Sequence, residues 1–270
     1  MTKYLQMNAR SLLTNPNIIF WSILFTEFWV FMWAYVFGTG LPLVEEAVRQ
    51  YTATAYGNLL MLSLSGASVT IASSLLYSSK SIRYVTKYTK LSPSRFLFEN
   101  LLSSLIVLLT ISGIMALSIV LVFMSKFSML VLPVNAGGIL FSIFLGTLFM
   151  YTMSLFLNLS VVVLRAPKAA SFISFIPLLL GFTAYSALWI DFGVGVYLSP
   201  FNCITSICYY YYFSGESPPT GNFFMPGAKT FVNIPLALAS LVAWVSLLIV
   251  LDILMLGKMR GIGVEEIRTA

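Results

Sequence analysis

Residues 137–164 read GGILFSIFLGTLFMYTMSLFLNLSVVVL, 28 positions without one charged side chain. A helix of about 20 apolar residues crosses the roughly 30 Å of bilayer hydrocarbon. A surface helix of a soluble protein carries a polar face at helical period, and this run shows almost none. Working outward, five more segments share its character: 18–37, 55–77, 100–124, 169–190 and 233–256. The whole chain is 59% hydrophobic and 9% charged, with a mean hydropathy of +0.93. The predicted fold class is an all-α, polytopic membrane protein with six transmembrane helices.

These spans take up most of the 270 residues and leave no room for a separate soluble domain. One membrane domain, 1–270, is expected, with residues 1–17, 78–95 and 191–232 as its main non-spanning parts. No small-x-small cleavage site stands out after the first apolar segment, so it reads as a retained helix. Histidine is absent and Cys203 and Cys208 are the only cysteines, which excludes a Cys/His zinc site and gives no disulfide framework. Five residues apart, the two thiols fall on different faces of a helix and read as small buried residues.

The formal charge of +6 is explained by sidedness rather than by a nucleic acid partner. One side of the predicted topology receives Lys3, Arg10, Lys80, Arg83, Lys87, Lys90, Arg95, Arg165, Lys168, Lys258, Arg260 and Arg268. The other receives Arg49, Lys126 and Lys229, together with Glu45, Glu46, Asp191 and Glu216. Twelve cations against three predict that both termini are cytoplasmic, with an even number of spans between them.

Before the first span, Leu5, Ala9, Leu12 and Leu13 share one face of a helix over 3–14, while Lys3, Gln6 and Arg10 take the other. This predicts an amphipathic helix in the cytoplasmic interface, broken by Asn15-Pro16-Asn17. Residues 38–54 read as a polar outer loop. The second span is rich in small residues (Ser63, Ser65, Gly66, Ala67, Ser68) that allow close backbone approach, so it is expected inside the bundle. Between spans four and five only Arg165-Ala166-Pro167-Lys168 connects, and Pro177 and Gly181 predict a kink in span five. In the long connection 191–232, Ser199 reads as an N-cap with Pro200 at the first helical position. The apolar, tyrosine-rich segment 200–213 is too short to span and is expected to form a re-entrant or interfacial helix.

The polar connection 78–95 carries the most information. Lys80, Arg83, Lys87 and Lys90 recur at i, i+3, i+7 and i+10, and Ser81, Tyr84, Tyr88 and Leu91 repeat the spacing one residue on. The pattern predicts one helix with a basic stripe beside an aromatic stripe, ended by Leu91-Ser92-Pro93. Inside-positive charge on a helix would give the basic stripe alone. Aromatics in a basic surface helix suit a protein interface, so this reads as a docking helix for a cytoplasmic partner.

Catalytic chemistry is missing from the residue inventory. Without histidine, Ser-His-Asp and Cys-His arrangements are impossible. Gly257-Lys258 lacks the earlier glycine of a phosphate-binding loop and is followed by Met259. Asn158-Leu159-Ser160 lies inside a span and is discounted as a glycosylation site. Two carboxylates fall within spans. Asp252, near the cytoplasmic end of the sixth, is expected to reach the interface beside Lys258. Glu27, near the middle of the first, is costly unless it faces protein or water. It is either a candidate residue of a translocation path or a carboxyl held between helices.

The stretch Leu12-Leu13-Thr14-Asn15-Pro16-Asn17, leading into a span that ends Tyr35-Val36-Phe37-Gly38, resembles the start of type-2 ABC exporter permeases. Thr14 stands where that family commonly has a basic residue. Thr89-Lys90-Leu91-Ser92-Pro93-Ser94-Arg95 is similar to the turn after the family's coupling helix, with the proline shifted, whereas Ser78-Ser79-Lys80-Ser81 replaces its glutamate-rich start. Leu198-Ser199-Pro200-Phe201 is similar to the family's short re-entrant outer helices.

This resemblance implies a permease subunit in the plasma membrane that pairs with a second copy or a related permease. It implies docking of a separate ABC ATPase chain through Lys80, Arg83, Tyr84, Lys87, Tyr88 and Leu91. ATP and Mg would bind on that partner, so the chain itself would be no enzyme and hold no cofactor. The first, second and fifth spans would line a path past Glu27 for an amphipathic, lipid-like, drug or peptide substrate moving out of the cell. An ATP-independent channel or secondary transporter would need more polar groups in the spans than Glu27. A non-transporting scaffold gives no reason for the docking stripe.

Overall fold

The structure is a computed structural model that describes residues 2–88, 93–213, 215–223 and 230–258, with side chains described for these except 2–4, 75–88, 93–97, 167 and 256–258. It is helical throughout, and among the described residues the only extended pairings are two isolated bridges, Asp191 with Gly221 and Pro219 with Phe231. Among the described residues five helices are long and apolar enough to cross a membrane: Pro16–Phe37, Glu45–Ser74, Phe98–Phe127, Ala136–Val163 and Ile234–Met255. The chain is thus built as a multi-pass membrane protein. Its outer surface agrees, with Phe20, Leu24, Phe28, Leu117, Leu121, Leu140, Phe141, Phe172, Leu179, Ile253 and Leu254 all exposed.

Helix α1 (Thr2–Leu13) buries Ala9 and Leu12. It packs on helix α5 (Pro93–Phe127), where the Asn8 side chain donates to Ser103 Oγ at 2.5 Å. Asn15 then caps the next helix by accepting the Asn17 N–H at 2.9 Å, with Pro16 at the first helical position. That helix alternates in winding: α2 (Pro16–Ile18), a π segment (Ile19–Leu24), α3 (Phe25–Phe31) and a second π segment (Met32–Phe37).

Helix α4 runs unbroken from Glu45 to Tyr88. Its 44 residues extend about 66 Å at 1.5 Å per residue, more than twice the hydrocarbon thickness. The expected polar loop 38–54 is therefore only seven residues, 38–44, and the expected span 55–77 begins nearly three turns inside the same helix. Glu45 and Glu46 favour the helix start, and Arg49 pairs with Glu45 at 2.6 Å. The Thr52 and Thr54 hydroxyls donate to the carbonyls of Val48 and Gln50, at 2.7 and 3.0 Å, so polar residues read as loop satisfy themselves within the helix.

Every residue from Tyr51 to Ala72 is buried, which makes α4 the central rod of the bundle, as its small residues predicted. A Cβ on Gly66 would lie 2.5 Å from the Trp21 carbonyl oxygen, one on Gly57 would lie 2.9 Å from that of Thr205, and one on Gly181 would overlap Ser65. Three neighbours therefore approach the rod at backbone distance.

Helix α6 (Ala136–Val163) matches the opening stretch closely. It ends in a Schellman turn with Arg165 at φ 50°, where Ala166 N–H donates to the Val161 carbonyl and Arg165 N–H to that of Val162. Helix α7 (Ala170–Ser186) holds the buried Pro177 and is only 17 residues long, about 26 Å. A 3-10 segment (Gly193–Leu198), α8 (Pro200–Tyr212) and α9 (Ile234–Lys258) complete the order. The Ser199 cap is formed, accepting the Asn202 N–H at 3.3 Å.

Candidate functional site: an aromatic cleft beside the central helix

Trp21, Phe25, Trp29, Trp33 and Phe37 recur every fourth residue along Pro16–Phe37. At 3.6 residues per turn such a stripe drifts by about 40° at each step. The two π segments, wound with more residues per turn, turn it back. The stripe therefore keeps to α7 along its length. Trp21 meets Phe175 edge-on at 5.6 Å between ring centroids. Phe25 and Trp29 meet Phe182 at 6.2 and 6.3 Å, and Trp29 and Trp33 meet Tyr185 at 6.1 and 6.3 Å.

Side chains of α4 fix both π segments. The Ser63 hydroxyl donates to the Ser22 carbonyl at 2.7 Å in the first, and the Tyr51 hydroxyl donates to the Trp33 carbonyl at 2.6 Å in the second. Tyr51 also packs against Trp33, Phe123 and Phe127.

Between the stripe and α7 opens a cleft of about 520 Å³, lined by Trp29, Trp33, Phe37, Phe182, Tyr185, Leu188 and Trp189. That volume is in the range of small-molecule sites. Trp33 and Leu188 form its buried floor, whereas Phe37 and Trp189 are half exposed at its rim. The lining carries no formal charge. Trp29 Nε1 is buried and has no hydrogen-bond partner among the described residues.

A second, smaller cavity lies nearby, about 20 Å³, between α4, α8 and the 187–223 connection. It is polar, with Thr54, Asn58, Asn202, Thr205, Ser206 and Thr220 among its lining. Asn58 and Asn202 are buried, and the Oδ1 of each lacks a partner among the described residues. The volume is that of a single water site.

The end of the bundle holding these sites is closed by loops. Val134 and Asn135 N–H groups donate to the Tyr212 and Tyr211 carbonyls, at 3.1 and 3.0 Å, and the Tyr212 hydroxyl donates to the Val131 carbonyl at 2.9 Å. Helix α8 is walled in by α4, α6 and α9, so Tyr209 and Tyr212 are buried in protein rather than laid at a headgroup layer. Cys203 and Cys208 are free and buried. Asp191 accepts the Gly193 N–H at 2.9 Å and the Thr220 hydroxyl at 2.5 Å, and these two donors hold its carboxyl below the ordinary carboxylate range.

The sequence-derived site residues fall in different places. Glu27 is half-buried and accepts the Ser118 hydroxyl of α5 at 2.5 Å. It therefore points to the third long helix and is not among the residues lining the aromatic cleft. Asp252 is buried, 3% exposed, instead of reaching the interface. The backbone of 78–88 continues α4, so the expected docking segment is an extension of the central rod rather than a separate helix. The side chains of Lys80, Arg83, Tyr84, Lys87 and Tyr88 lie outside the described ones, and Leu91 lies outside the described residues altogether.

Three features were missed. The four-residue aromatic repeat was visible as spacing. Glu99, buried at 1% exposure beside Asn100 and Ser103, sits one residue before the expected third span. The Asn58–Asn202 cavity joins residues 144 positions apart and leaves no local signal.

No protein-family model, curated protein or solved structure matches the chain.

Proposed function

We propose that the chain is the permease subunit of an ATP-driven exporter of the type-2 ABC kind. It crosses the plasma membrane six times with both termini cytoplasmic, α7 serving as the fifth crossing with the 3-10 turn Pro167–Ala169 extending it. It pairs with a second copy or a related permease. A separate ABC ATPase, which binds ATP and Mg, docks on Lys80, Arg83, Tyr84, Lys87, Tyr88 and Leu91. The exported compound is amphipathic.

The continuity of α4 is the observation that carries this reading. A single helix joins the basic, aromatic segment 78–88 to the buried rod that touches both walls of the aromatic cleft. A push or twist at Tyr88 is transmitted along one hydrogen-bonded element to Ser63 and Tyr51, which grip the first long helix. In this scheme ATP binding on the partner draws the docking segments together, and the rod moves the stripe relative to α7. The cleft lies between the first and fifth apolar segments, the two that the resemblance assigns to the path together with the second. Glu27 is assigned here to helix packing rather than to the path.

The test is co-expression with an ABC ATPase chain from the same genome. Charge reversal at Arg83 and Lys87 with Tyr84→Ala should abolish co-purification and permease-stimulated ATP hydrolysis, with the thermal stability of the permease unchanged. Undiminished co-purification and hydrolysis in that triple variant would reject the docking assignment.

A further inference from the structure

We infer that the aromatic cleft binds amphiphiles whose headgroup carries a quaternary ammonium, as in choline phosphate esters. Calling such a ligand a substrate rests on the export reading above; the binding itself does not.

The lining selects this chemistry. Six of the seven lining side chains are aromatic: Trp29, Trp33, Phe37, Phe182, Tyr185 and Trp189. Several of these rings pack edge-on or tilted at about 6 Å, as Trp29–Phe182 at 6.3 Å and Trp29–Tyr185 at 6.1 Å show. Ring faces attract a cation within about 6 Å of their centroids, tryptophan most strongly, and the attraction grows when the cation is desolvated. A quaternary ammonium loses less on leaving water than a primary one, because it has no N–H to leave unbonded. A primary ammonium would find no carboxylate among the lining residues.

No lysine or arginine lines the cleft to repel the cationic group, and Asp191 follows the rim residue Trp189 by two positions. A cleft of about 520 Å³ takes such a headgroup with the first part of its chain. The remaining alkyl chain can leave past Phe37 and Trp189, both half exposed and apolar at the rim. A plain interfacial girdle of aromatics would hold any lipid of similar length equally well.

The experiment uses the purified full chain in neutral maltoside micelles, without ATP or an ATPase. Binding of hexadecylphosphocholine is compared with that of its carbon isostere, in which a tert-butyl group replaces the trimethylammonium, by tryptophan emission and by equilibrium dialysis. The expected result is at least about tenfold preference for the ammonium compound, the scale of a desolvated cation–π contact. Trp29→Leu should remove most of that preference. Trp29→Phe, which leaves an aromatic face at that position, should keep most of the preference. Trp189→Leu, a change at an exposed rim position that folding tolerates, should reduce the preference in part. Equal binding of the two compounds by the wild-type chain would overturn the inference, as would a preference untouched by Trp29→Leu and Trp189→Leu. Selective binding without ATP-dependent movement of the compound in vesicles carrying the ATPase would support the ligand class and reject the export reading.

Discussion

The Tyr51 hydroxyl of α4 donates to the Trp33 carbonyl at 2.6 Å, inside the second π segment of the first long helix. That carbonyl also accepts the Gly38 N–H at 2.9 Å, the wide i+5 bond of a π turn. A side chain from a neighbouring helix thus holds the backbone at the place where its winding departs from α.

Tyr51→Phe removes this bond and leaves ring packing in place. A lost intramolecular hydrogen bond of this kind costs about 1 kcal/mol. We expect a lower melting temperature in detergent and a similar loss for Ser63→Ala, which strips the Ser22 carbonyl of its partner. Wild-type melting in both variants would show that the π segments hold themselves.

Gly66→Ala puts a methyl 2.5 Å from the Trp21 carbonyl oxygen, so one backbone must move. Overpacking of this sort costs about 1–3 kcal/mol. Gly113 has nothing within 4 Å of its would-be Cβ, and Gly113→Ala in mid-helix should stabilise by up to about 1 kcal/mol. Opposite signs in thermal unfolding are the expected result; equal shifts would contradict the close approach of α4.

Glu27→Gln keeps an oxygen that the Ser118 hydroxyl can use, whereas Glu27→Leu strands that hydroxyl. The first should fold and transport as the wild type does. The second should lose about 1–3 kcal/mol of stability. Loss of transport in the Gln variant with stability intact would return Glu27 to the translocation path.

Asp191 holds its proton less tightly in the fold than in the open chain, because Thr220 and Gly193 donate to the carboxylate. A depressed carboxyl stabilises the fold above its unfolded pKa of about 3.9 and loses that effect as pH falls through the lower folded value. Limited proteolysis of the 213–233 connection should therefore accelerate below about pH 4 in the wild type. In Asp191→Asn it should be faster than wild type at neutral pH and nearly flat with acid. An identical acid profile in the two proteins would rule out this contact as the cause.

Apolar runs gave away the helices they dominate: 137–164 is realised as Ala136–Val163, and 233–256 as Ile234–Lys258. What stayed hidden depends on partners. Thr52 and Thr54 read as loop because hydropathy scores them as if exposed. In the fold their side chains return hydrogen bonds to Val48 and Gln50 of their own helix. The start of α4 was misplaced for that reason. Glu27 was legible as a costly group needing a partner, but Ser118 lies 91 positions away and nothing local points to it. The aromatic stripe was printed in the sequence at every fourth residue, and it escaped because tryptophan and phenylalanine count in a span simply as apolar. Its meaning requires the π segments, which no hydropathy pattern specifies.

The central rod has a consequence for biogenesis. Its membrane-length part, Glu45–Ser74, is the least apolar of the five long helices, although every residue from Tyr51 to Ala72 is buried. Lipid alone offers such a segment little, since its hydroxyls and amides gain nothing from acyl chains. During synthesis it must wait beside the insertion machinery until its neighbours arrive. The first long helix precedes it, but α5, α6, α7 and α8 are made afterwards, and they supply the rest of its cover. The second apolar segment therefore joins the bilayer as a member of a group. Truncated nascent chains ending before α6 should leave it within reach of crosslinkers and chaperones, while longer ones should release it.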